Sequence, residues 1–246
     1  MSAITAACVV AGAFVTALLS GIFGMAGGLL LMGLLALLMP VAAAMVTHGI
    51  LQIAANGWRA LLLRRHIDAR IVGHYALASL AAAAVVAGLS CVPSKALLYL
   101  LLGTVPLLVW LPPGLLALDA ARRSHALAGG FLVTGLNLLA GVAGPLLDVV
   151  FVRSKLTRHA VVATKAATQV FSHLAKVVVY GVPLLHGAAG MPPAWVFVPA
   201  IALSMLGTAL GGRILDRMSD VSFRRWTRWL VTGIGGIYLL RGIALL

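Results

Sequence analysis

The sequence predicts an all-α integral membrane protein made of two inverted-topology repeats. Each repeat would be a broken or re-entrant helix hairpin followed by three transmembrane helices. Three observations lead there. Hydrophobic residues make up 62% of the chain and charged residues 9%, with mean hydropathy +1.10, a balance suited to a lipid environment. Basic residues gather in short clusters between apolar runs. The chain also repeats itself, without a gap, at a spacing of 117 residues.

The repeat is read from particular residues. Gly24-Met-Ala-Gly27-Gly28-Leu29-Leu30 returns as Gly141-Val-Ala-Gly144-Pro145-Leu146-Leu147. In the same register Gly12 falls on Gly129, Phe14 on Phe131, Thr47 on Thr164, Gln52 on Gln169, and Arg59 on Lys176. Ala and Leu matches carry little weight in so apolar a chain, whereas Gly, Thr, Gln and Phe matches in one register carry much more. The halves are 1–117 and 118–246, one transmembrane unit built by duplication.

Charge sets the orientation. There are 18 Lys and Arg against 5 acids, all Asp, for a net charge of +13. In a water-soluble protein this would suggest nucleic acid. Here the charges lie between apolar spans, so the positive-inside rule accounts for them and no nucleic-acid partner is expected. Arg64, Arg65 and Arg70 form the first cytoplasmic cluster, Arg122 and Arg123 the second, and Arg153, Lys155 and Arg158 the third. The fourth comprises Arg213, Arg217, Arg224, Arg225 and Arg228. The connections Cys91 to Lys95 and Gly181 to Pro193 face outward, as do both termini, in a cell (inner) membrane. No cleaved leader is expected, because the first Lys or Arg is Arg59. Cys8 and Cys91 are isolated and read as small apolar residues. No cofactor or metal is expected.

Spans follow at 41–64, 70–91, 96–112, 157–181, 194–213 and 222–244, each near the ~20 residues that a crossing helix needs. Two segments do not fit a simple crossing. The stretch between Arg122 and Arg153 has both ends inside and is interrupted at Gly141 to Pro145, so it reads as a re-entrant hairpin or broken helix pair. Residues 3–39, broken at Gly24 to Gly28, would do the same from the outer face. An odd number of crossings per half then inverts the second half. The alternative is that each broken segment crosses as ordinary helices.

Non-helical backbone at membrane depth is tolerated where it lines a cavity or is buried in protein. Gly24, Gly27, Gly28, Gly141 and Gly144 permit the turn, and Pro145 suits a helix start. Half-helices beginning near Gly28 and Pro145 would aim free N–H groups at the interior and favour an anion. The competing reading is close helix packing through small residues.

Two polar stripes occupy identical repeat positions. His48, Gln52, Asn56 and Arg59 share one helical face, and Lys165, Gln169, His173 and Lys176 share the other. The glutamines fall at mid-helix. Lys165 lies about 12 Å into its helix, too deep to snorkel comfortably. Arg59 and Lys176, read as near helix ends, could snorkel or act as gating or coupling groups, with Asn56. His48 and His173 are either interhelical hydrogen-bonders or the groups on which proton coupling would rest. Asp148 follows the second break by one turn and has no acidic mate, its repeat position being Leu31. It would cap the half-helix, neutralise Lys165 or carry a proton.

At these residues the chain resembles the TauE/SafE sulfite exporter family, also called the toluene-sulfonate uptake permease family. The likeness rests on Gly24-Met-Ala-Gly27-Gly28, on Gly141-Val-Ala-Gly144-Pro145-Leu146, and on Ala163-Thr164-Lys165-Ala166 followed by Gln169, His173 and Lys176. It covers essentially the whole chain. Ala26 and Ala143 stand where the family often has a further glycine. The resemblance implies a carrier for sulfite, organosulfonates or related anions.

The leading expectation is therefore a secondary anion transporter of alternating-access type, and not an enzyme. The solute would sit between the two breaks, met by Thr47, Thr164, Gln52 and Gln169 as neutral donors and by Lys165 as positive charge. Membrane lipid is the other partner expected. A non-transporting assembly subunit is the alternative, with an intramembrane enzyme behind it. The nearest nucleophile setting, Leu19-Ser20-Gly21, lacks the flanking residues of a serine hydrolase.

Overall fold

The computed structural model describes the chain except residues 90–91, 113–117, 152, 186–189 and 218–219; at 25, 183, 185 and 220–224 it describes backbone only. Cys91 and the Arg224 side chain therefore lie outside the described residues. Among the described residues the protein is all-helical, with ten α-helices and no strand. They are α1 (Ala3–Phe23), α2 (Met25–Leu38), α3 (Val41–Leu62), α4 (Ala69–Leu89) and α5 (Lys95–Thr104), then α6 (Arg123–Ala140), α7 (Gly144–Phe151), α8 (Arg158–Leu185), α9 (Ala194–Leu215) and α10 (Asp220–Ile243).

Local chemistry sets the boundaries. Ser2 and Ser94 cap α1 and α5, each Oγ accepting from the backbone N–H three residues on. Pro40 and Pro193 precede α3 and α9, where a missing N–H costs nothing. Past Thr104 the chain tightens into a 3₁₀ segment, Val105–Trp110, because Pro106 cannot donate back to the preceding turn. The span expected at 96–112 is thus an α-helix of ten residues with a 3₁₀ continuation.

α1, α4 and α9 are long and apolar enough to cross a membrane, with mean hydropathies of 2.2, 1.7 and 1.7. Large apolar side chains such as Leu80, Val198, Ile237 and Leu240 point outward, as a lipid-facing surface requires. Cys8 is exposed on α1.

Both expected breaks are present, and the helix after the first starts earlier than the expected Gly28. The hinge is Gly24, at φ +67°, and α2 starts at Met25, so Gly27 and Gly28 lie in its first turn. The physical reason is the positive φ, which Gly24 adopts without the Cβ clash of an L side chain. Behind the hinge α2 doubles back along α1: a Cβ on Gly27 would strike the Thr16 carbonyl, and one on Gly12 the Leu34 side chain. The second break is Gly141, at φ +75° in the left-handed region, a common way to end a helix. α7 then returns against α6, with Gly129 facing Val150.

The helices associate in matched pairs. α1 lies along α9 in the same direction, Gly207 meeting Phe14 and Leu18, and Gly211 meeting Leu18 and Gly21. α6 lies along α4 likewise, Gly130 facing Tyr75 and Thr134 bonded to Ser79. α3 crosses α8 in the opposite sense, Gly49 against Val177 and Gly57 against Val170. α5 and α10 are also opposed, Gly103 against Leu239 and Gly242 against Leu100. A large apolar core fills one end of the bundle, where α1, α3 and α9 begin and α4, α8 and α10 end. A smaller one, around Tyr75, Val133, Leu147 and Phe151, lies toward the other.

One further boundary changes the reading of a site residue. The helix expected over 157–181 runs from Arg158 to Leu185. Lys176 is therefore interior and fully buried rather than near a helix end.

Candidate functional site

A cavity of about 1260 Å³ opens between the halves. Both breaks reach its wall, through Gly24 and Gly28 on one side and Gly144 and Pro145 on the other. So do both polar stripes: His48, Gln52, Asn56 and Arg59 from α3, and Lys165, Gln169 and His173 from α8. The structure thus gathers most of the expected site residues around one space. Gly27, Gly141, Thr47, Thr164 and Lys176 lie behind that wall. Thr164 neighbours Lys165 but points elsewhere, its Oγ1 accepting from the Asp68 N–H at 3.0 Å. Thr47 is buried, with no hydrogen-bond partner for its hydroxyl among the described residues.

The buried end of the cavity is organised by Lys176. Its Nζ reaches Gly141 O at 2.7 Å, His48 Nδ1 at 2.7 Å and Asn137 Oδ1 at 3.3 Å. An ammonium has three donors and no acceptor, so these three contacts satisfy it completely. His48 Nδ1 then accepts, which leaves Nε2–H to donate to Gly28 O at 3.0 Å. One chain of bonds therefore links the second break, through Lys176 and His48, to the first turn after the first break. His173 stands edge-on to His48, with centroids 5.5 Å apart.

Arg59 is not a snorkelling group either. Its Nη2 donates to Ser20 O at 3.0 Å, at the end of α1. Ser20 in turn donates its hydroxyl to Gly24 O at 2.7 Å. Asn56 Nδ2 donates to Gln52 Oε1 at 3.2 Å, orienting that amide. Gln169 faces the cavity from the opposite stripe. Lys165 is ion-paired with Asp148, so the positive charge expected for the solute is already matched by a carboxylate.

Several contributors had no signal in the repeat. Asn137 occupies the position of Ser20, 117 residues on, and so fell outside the identity pattern. Tyr75, Ser172, Thr134 and Ser79 form a continuous hydroxyl chain with links of 2.8 Å across α4, α6 and α8. Tyr99 donates to Gly33 O, Tyr238 to Leu29 O and Tyr180 to Leu138 O, fastening the hairpins at the closed end. Thr208 and Thr227, buried hydroxyls without a protein partner among the described residues, also face the cavity.

The open end has a different character. Arg158, His159, Arg213, Asp216 and Arg228 line it, all exposed. They belong to, or adjoin, the third and fourth basic clusters. The guanidinium of Arg228 lies 5.7 Å over the Trp110 ring.

Among the described residues there is no group of three or more His, Cys, Asp or Glu able to hold a metal ion. What the arrangement offers is neutral and cationic donors, with two helix starts, around an open space inside an apolar bundle. No curated protein and no solved structure matches the chain. The family model described as Sulfite exporter TauE/SafE matches residues 9–239, nearly the full length. The chain is thus a membrane transport protein of the sulfite exporter TauE/SafE family.

Proposed function

We propose that the protein is a secondary permease that moves a small sulfur-containing anion, sulfite or an organosulfonate, across the cell membrane by alternating access with proton coupling. The observation that carries this is the single cavity reached by both glycine breaks and by both mid-helix glutamines. Half-helix starts at Met25 and Gly144 supply N–H groups and the positive end of the helix dipole. Gln52 and Gln169 supply neutral donors, which suit an oxyanion with several acceptor oxygens.

Alternating access follows from the repeat. Exchanging the halves maps α1 on α9 onto α6 on α4, and maps α3–α8 and α5–α10 onto themselves. The two self-paired contacts are antiparallel, as a two-fold lying across the helices would make them. This supports our reading of halves 1–117 and 118–246 as inverted and able to rock about a fixed site. The open end carries the basic clusters, so we take the cavity to face the cytoplasm and both termini to face outward. A polar cavity at Gln52 and Gln169 argues against a closely packed assembly subunit.

The test is sulfite flux into proteoliposomes. Gln52→Ala and Gln169→Ala each lower the flux at least tenfold while leaving the protein folded, and Lys165→Ala lowers it as well. Undiminished flux in all three would remove the cavity from the transport path.

A further inference from the structure

We propose that Asp148 is the proton-binding site of the cycle: protonation of its carboxylate releases Lys165 to hold the anion. This rests on the anion-permease reading above and names the regulation of that same site.

Lys165 and Asp148 form an ion pair. Unlike Lys176, which is sealed in, both partners keep contact with the cavity, at 26% and 40% side-chain exposure. Asp148 stands one turn into α7, past Gly144 and Pro145, so an anion at the start of that helix sits beside both charges. With the pair intact those charges cancel, and the carboxylate occupies the place the anion needs. The carboxylate repels an incoming anion and so offsets the attraction that Lys165 would otherwise exert on it. A proton on Asp148 removes that repulsion and leaves the ammonium uncompensated. One proton then travels with each anion. It comes from water on the side to which the cavity opens, bonds to a carboxylate oxygen and returns to water on the far side.

The surroundings isolate this switch. α2 and the 3₁₀ segment Val105–Trp110, which pack on α7, bring no titratable group. α6 brings Arg123 and His125 at its far start, where His125 Nδ1 accepts from the Asp119 N–H. α8 brings Lys165, with His159 near the mouth and His173 deeper. Across the cavity lie His48 and Arg59, and at its mouth Arg158, Arg213, Asp216 and Arg228. His48 has both ring nitrogens committed, to Lys176 and to Gly28 O, so it is poorly placed to exchange a proton. The first half holds no equivalent pair, since His48 and Leu31 occupy the two positions there. One switch per cycle is the consequence.

The experiment uses the full chain in proteoliposomes containing an internal pH dye, with sulfite as the probe and an imposed pH difference of about 1 unit. Sulfite carries protons of its own, so the reading is the difference between wild type and variant at one pH. Asp148→Asn should move one proton fewer per sulfite and accumulate about tenfold less sulfite, since one coupled proton is worth a factor of ten per pH unit. An unchanged proton-to-sulfite ratio overturns the proposal. So does a folded Asp148→Asn that moves no sulfite, because its amide stands in for the protonated, anion-ready state. If that variant does not fold, Asp148→Glu replaces it: a displaced pH midpoint for sulfite uptake supports the proposal and an unshifted one overturns it. Wild-type vesicles that move no sulfite at all are a separate outcome, in which the permease reading itself fails and takes this one with it.

Discussion

Arg59 and Lys176, 117 residues apart in sequence, hold the ends of equivalent helices by equivalent means. Arg59 donates to Ser20 O at the end of α1, and Lys176 donates to Gly141 O at the end of α6. A cation at a helix C-terminus answers the carbonyls that the broken helix leaves unpaired. The two differ in setting, since Arg59 lines the cavity whereas Lys176 is sealed within the closed end.

That difference predicts unequal losses. Lys176→Met leaves Gly141 O, Asn137 Oδ1 and His48 Nδ1 without their donor, and each abandoned buried group costs about 1–3 kcal/mol. Thermal unfolding in detergent should show a large drop for Lys176→Met. Arg59→Met, whose partner Ser20 O also accepts from the Gly24 N–H, should lose less than half as much. Equal losses would contradict the geometry.

The two hinge glycines should respond differently to asparagine. Gly141 lies in the left-handed helical region, which Asn tolerates, whereas Gly24 has ψ −102°, a region that suits glycine alone. Gly24→Asn should cost on the order of 1–3 kcal/mol through backbone strain, because nothing within 4 Å would meet its new Cβ. Gly141→Asn is expected to retain more stability, provided that Met32 shifts its flexible chain away. Melting curves of the two variants decide between them.

Adjacent glycines in α2 should separate folding from transport. A Cβ on Gly27 would clash with the Thr16 carbonyl, a backbone atom that cannot yield cheaply. Gly27→Ala should therefore pry α2 from α1 and cost about 1–3 kcal/mol, as overpacking does. A Cβ on Gly28 would instead meet Gln52 Nε2 at 2.8 Å. Gly28→Ala should displace that amide and lower sulfite flux with little loss of stability. Measuring melting temperature and flux on the same preparations checks both halves of the statement.

The hydroxyl chain across α4, α6 and α8 is expected to be structural. Tyr75→Phe removes its link to Ser172, and such interhelical bonds in membranes are worth about 0.6 kcal/mol, rarely more than about 1.7. The variant should melt slightly lower and keep its sulfite flux. A loss of flux without a loss of stability would instead place this chain in the transport path.

The sequence by itself determined the helices and the two places where they break. Apolar length, basic clusters and paired glycines are local properties, and of the two structures that lipid permits, helix and closed barrel, apolar runs of this length select the helix, so they could be read residue by residue. It also put Gln52, Gln169, His48 and His173 on two faces that meet. Only the tertiary structure decided which glycine turns the chain, because Gly24, Gly27 and Gly28 are equally able to turn and packing of α2 on Thr16 and Ser20 selects the first. It likewise decided that Lys176 is buried, that Asp148 rather than a solute meets Lys165, and that three tyrosines fasten the closed end. Those facts depend on which side chains from distant segments arrive within hydrogen-bond reach, a matter of three-dimensional packing that no spacing along the chain encodes.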